Sequence, residues 1–61
     1  MIILKAQVFS TGAQDLAKFI NINKIKKEDV LAITEEPTYN YTLFYYADSE
    51  SQEIMRGVFG W

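Results

Sequence analysis

The sequence predicts a small α+β domain in the chain order strand, helix, strand, strand, with the helix on one face of a three-stranded sheet and an apolar C-terminal tail. Three observations carry that expectation. Residues 2–9 alternate in side-chain character, as a strand does. Ala13, Leu16, Ala17 and Ile20 recur at the i, i+3, i+4, i+7 spacing of one helical face. Residues 39–47, Tyr-Asn-Tyr-Thr-Leu-Phe-Tyr-Tyr-Ala, hold all four tyrosines and one of the four phenylalanines with no Gly or Pro, so they read as a strand.

In the first strand, Ile2, Leu4, Ala6 and Val8 point one way, while Ile3, Lys5, Gln7 and Phe9 point the other. The first set reads as the half-buried face and the second as mixed. Thr11 followed by Gln14 fits a capping box, in which the hydroxyl and the Gln side chain each satisfy a free N–H at a helix start. Asp15 suits the first turn and its dipole. About three turns follow, with Phe19 beside the apolar face and an end expected near residues 21–23, where an Asn can take the left-handed cap conformation. Gly12 does not make a phosphate loop, because no further Gly and no Gly-Lys-Ser/Thr ending accompany it.

Lys24, Lys26 and Lys27 form a cluster just past the helix, a place its dipole favours for cations. Residues 30–35 make a second strand, with Leu31 and Ile33 on one face and Val30, Ala32 and Thr34 on the other. Glu35, Glu36, Pro37 and Thr38 break it and lead through a hairpin-type loop into the aromatic strand. There, Tyr39, Tyr41, Leu43, Tyr45 and Ala47 share one face, and Asn40, Thr42, Phe44 and Tyr46 the other. Neither set is charged. A strand apolar on both sides belongs in the middle of a sheet, so the third strand is expected between the first two, which then run parallel without touching; an order with the second strand central is the alternative. Leu43 lies with the tyrosines, which assigns that side to the helix and leaves the Phe44 and Tyr46 side without cover.

At 61 residues the chain holds one domain, with a core expected within residues 2–47 and a tail over 53–61. The tail carries Ile54, Met55, Val58, Phe59 and Trp61, punctuated by two Gly, and is expected to be an edge strand, an arm crossing to a second copy or a docking peptide. A domain this small is marginal alone, and no Cys or His is present to supply disulfides or thiolate and imidazole metal sites. An apolar fraction of 49% is more than one thin core hides, so a homodimer is expected. No metal, cofactor or catalytic role is expected. Without His or Cys, acid–base work would fall on carboxylates, and the pairs Glu28-Asp29 and Glu35-Glu36 sit at strand ends, where neighbours point apart. The start lacks a signal-peptide pattern and no run approaches a membrane span, so the expected location is cytoplasmic, with no membrane partner. Charge is uneven: residues 1–27 hold five Lys against Asp15, net +4, and residues 28–61 hold seven acids against Arg56, net −6.

The strand ending Val8-Phe9, the helix with Asp15-Leu16, Val30-Leu31-Ala32-Ile33 and then 41–46 together resemble the small sporulation-associated proteins of Gram-positive bacteria and similar short phage proteins, over about residues 5–47. The resemblance is one of pattern and implies a Gram-positive or phage origin, hence the host cytoplasm, and a non-enzymatic role. Together these observations lead to the expectation of a homodimeric protein-binding module, in a phage an inhibitor of a host protein such as a defence enzyme. Tyr41, Phe44, Tyr45, Tyr46, Phe59 and Trp61 are its candidate interface residues, since aromatic side chains dominate interface energetics. The competing expectation is a single-stranded nucleic-acid binder that stacks bases on sheet tyrosines and meets phosphates with the Lys cluster. Net charge −2 and a Lys cluster placed away from the tyrosines count against nucleic acid as the partner.

Overall fold

The computed structural model describes residues 1–10, 12–37 and 40–58. Strand β1 spans Ile2–Phe9, helix α1 Ala13–Ile22, strand β2 Val30–Glu35 and strand β3 Tyr41–Asp48, with a single 3-10 turn at Lys27–Asp29 before β2. The sheet order is β1-β3-β2, and β3 runs antiparallel to both neighbours. The aromatic strand, uncharged up to Ala47, is central, as its two faces predict.

Register decides which face each side chain takes, because residues directly opposite on paired strands share a face. Phe9 lies opposite Tyr41, Gln7 opposite Leu43 and Lys5 opposite Tyr45. Phe9, Leu43 and Tyr45 are buried together with Leu16 and Phe19 of α1. The helix therefore covers the tyrosine side of β3, as expected, but it also covers the mixed set of β1. That overturns the expected inward face of β1: the wholly apolar Ile2, Leu4, Ala6 and Val8 turn away from the helix. Phe9 outweighs the two polar residues beside it, since its ring packs edge-on against Phe19 with centroids 5.4 Å apart, and Phe19 stands likewise against Tyr45 at 5.7 Å.

The buried side of α1 is centred on Phe19, with Leu16 and Asp15, whereas Ala13 and Ala17 are exposed. The helix is thus rotated from the stripe its spacing suggests, because the large ring gains more from burial than two alanines do. The expected capping box gives way to an N-cap at Gly12, without a side-chain cap, at φ 115°, a backbone angle glycine adopts without a Cβ penalty. Thr11 lies outside the described residues. At the other end, Lys24, not an asparagine, takes the left-handed conformation, at φ 54°. The N–H of Ile25 donates to Ile20 O at 3.0 Å and that of Lys24 to Asn21 O at 3.3 Å, the two bonds of a Schellman ending.

A bulge between Val30 and Ala32 shifts the register of β2. Val30 stays opposite Tyr45 but Ile33 lies opposite Leu43, so these two share the helix side and the expected pairing of Leu31 with Ile33 on one face does not form. The core also reaches past residue 47. Val58 is fully buried and Met55 packs against the core, so the expected tail is, through Val58, part of the same domain. Through Val58 it runs as irregular chain and a turn, not as an edge strand. Gly57, at φ 85°, makes the turn that brings Val58 inward.

Candidate interaction surface

Two polar anchors hold the returning tail on the helix side of the sheet. Lys5, half-buried beside Tyr45, donates from Nζ to Ser51 O and Oγ at 2.9 Å each and to both oxygens of Glu53 at 3.1 Å. Ser51 Oγ also donates to Glu53 Oε1 at 2.9 Å. Burial opposes the charge of Glu53, but the bonds from Lys5 and Ser51 outweigh it and hold the carboxyl below its usual range. Tyr45 is affected the other way: burial first, then the Glu53 carboxylate, pushes its phenol up to about 12.

The second anchor is the Asn23 amide. Its Nδ2 donates to Phe19 O and to Ile54 O, both at 2.9 Å, and its Oδ1 accepts from the Ile54 N–H. One side chain thus closes the helix end and pairs with residue 54 much as a neighbouring strand would. The sequence marks Asn23 only as a cap residue, and nothing local shows a bond partner 31 positions away.

With the tail and helix gathered on one side, the other face of the sheet is open. It consists of Ile2, Leu4, Ala6 and Val8 from β1, Thr42, Phe44 and Tyr46 from β3, and Ala32 and Thr34 from β2. Ile2 is 66% exposed, Leu4 48%, Val8 54% and Tyr46 40%, values far above those of core residues. Among the described residues, the only charged side chain on this face is Asp48 at its rim, opposite Ile2, where the carboxylate meets the N-terminal ammonium at 3.4 Å. An open cleft of about 600 Å³ adjoins the rim where β3 outruns β2, between Ile2, Tyr46, Asn23, Asp29 and Ile54. Among the described residues no group of His, Cys, Asp or Glu could hold a metal ion, and no helix is long and apolar enough to cross a membrane.

Of the interface residues expected from sequence, Phe44 and Tyr46 stand on the open face. Tyr41 is half-buried on the helix side. Tyr45 is a core residue, 3% exposed, and drops out of the surface set because α1 packs over it. Phe59 and Trp61 lie outside the described residues, as does Tyr39. The residues that sequence reasoning missed are Ile2, Leu4 and Val8, whose alternation was visible but whose direction depended on the pairing with β3. The components of the nucleic-acid reading are spread apart, since Tyr41 and Tyr45 face the helix, Lys24, Lys26 and Lys27 follow it, and no Lys or Arg of the strands points to the open face. No family model, curated protein or solved structure matches the chain.

Proposed function

We propose that this chain is a non-enzymatic, homodimeric protein-binding module that presents its open sheet face to a larger protein and blocks the surface it covers. The observation that carries this reading is the chemistry of that face: aliphatic and aromatic side chains from β1 and β3, exposed together and free of charge inside the rim. Contiguous apolar patches of this kind are uncommon on soluble proteins that act alone. Phe44 and Tyr46, adjacent to the β1 aliphatics, are the aromatic anchors around which such contacts concentrate.

The test combines sedimentation with comparative capture. The wild-type chain is expected to show a reversible monomer–dimer equilibrium and to retain a protein from cell extract that the double variant Phe44→Asp, Tyr46→Asp does not retain, while circular dichroism shows both folded. A monomer at every concentration removes the dimer. An identical capture profile for wild type and variant removes the role of the face.

A further inference from the structure

The two edges of this sheet are not equivalent. On β2, the edge is interrupted by the bulge between Val30 and Ala32 and ends in Glu35, Glu36 and Pro37. Bulges, charges and Pro are the devices that stop a strand from pairing with a stranger. The edge of β1 has neither bulge nor Pro. Its eight residues pair with β3 in unbroken register, contain no Pro, and carry one charge, Lys5, whose ammonium is tied to Ser51 and Glu53 on the helix side. No strand among the described residues pairs with its outer side.

Which main-chain groups face outward follows from one bond. Met1 O accepts from the Ser49 N–H at 2.7 Å, continuing the β1–β3 ladder by one residue. In an antiparallel ladder both polar groups of a residue face the same neighbour and the direction alternates along the strand. Ile3, Lys5, Gln7 and Phe9 therefore turn their N–H and C=O towards β3, and Ile2, Leu4, Ala6 and Val8 turn theirs to the free edge.

We infer that two copies join by antiparallel pairing of their β1 edges about a two-fold axis at Ala6, making one continuous six-stranded sheet. This rests on the homodimer reading above and specifies its geometry. Opposed residues must share a face, so the axis must pass through a residue rather than between two. Centring on Lys5 sets the two lysines directly opposite each other, which is unfavourable. Centring on Leu4 pairs only positions 2–6 of each strand. Centring on Ala6 pairs positions 3–9, sets Leu4 against Val8 of the other copy and Lys5 against Gln7, and forms about six main-chain hydrogen bonds from the outward groups.

Area favours the same arrangement. Eight residues by three strands give an open face of about 26 by 15 Å, roughly 400 Å² in projection. Stable protein contacts bury about 800 Å² on each partner. One copy offers about half of that. Two copies paired at β1 place their open faces side by side on the same side of the joined sheet and offer the whole.

Amide hydrogen exchange read by NMR on the full chain, at dilute and concentrated protein, tests this. The Leu4, Ala6 and Val8 amides are expected to slow about tenfold or more on concentration, while Ile3, Lys5 and Gln7, already bonded to β3, change far less. Ala6→Lys, which sets two cations together at the axis, is expected to weaken dimerisation about tenfold or more, and Thr34→Lys, on the far strand of the open face, to leave it intact. A dimer whose Leu4, Ala6 and Val8 amides exchange at the dilute rate, or a dimer broken by Thr34→Lys and not by Ala6→Lys, overturns edge pairing while the homodimer stands. Protection of these amides that is independent of concentration means the edge is already occupied within one chain and also overturns it. A monomer throughout removes the homodimer and this geometry together.

Discussion

At the scale of single residues, the tail is held by polar bonds from Asn23 and Lys5 as well as by the buried Val58. Asn23→Ala removes three hydrogen bonds, two of them to Ile54, and is expected to lower stability by about 2 kcal/mol, read as a lower urea midpoint with an unchanged slope. The polar pair responds to pH in opposite directions. Glu53 has a lowered carboxyl in the folded chain, so it contributes stability above the ordinary carboxylate range of about 4.3, and that contribution is lost as pH falls through the folded value. Glu53→Gln is expected to flatten the acid limb of a stability–pH curve. Tyr45 is raised, so its contribution is complete below about 10, the unfolded value, and is lost as pH rises to about 12. Ultraviolet titration is expected to show the Tyr45 phenol ionising near 12, together with unfolding.

Among the elements, α1 ends in a way that can be improved. Lys24 holds a left-handed φ of 54° at a position where glycine has no Cβ penalty. Lys24→Gly is expected to raise stability by about 0.5–1 kcal/mol, measured by denaturant unfolding, because relief of that conformation exceeds the added freedom of the unfolded chain. The same element shows what sequence patterns could convey. Helix position, strand extents and the central place of β3 follow from periodicity and from an uncharged strand, which are regular and local signals. The rotation of α1 onto Phe19, the bulge at Val30 and Ala32, and the outward turn of Ile2, Leu4 and Val8 do not, because each depends on which residue lies opposite across the sheet. Lys5 misled most, since its charge argues for a wet face, yet Ser51 and Glu53 arrive from 46 and 48 positions away to satisfy it. The aromatic half of the candidate surface, Phe44 and Tyr46, was readable for the same reason the strand was. Its aliphatic half was not.

For the whole molecule, size sets the terms. A chain of 61 residues has roughly 3–9 kcal/mol of stability to draw on, so a second copy that binds only the folded form adds a visible share. The thermal midpoint is therefore expected to rise with protein concentration over about a hundredfold range in calorimetry, and to become independent of it in Ala6→Lys. The bulge in β2 acquires a further meaning at this scale. A chain with two receptive edges could add copies head to tail without limit, and such open assembly ends in fibres. In the proposed dimer, with β1 paired and β2 broken between Val30 and Ala32, the first union consumes the one unbroken sheet edge among the described residues. On that proposal, the one extra residue in a six-residue strand acts as a terminator of polymerisation, limiting assembly to two copies.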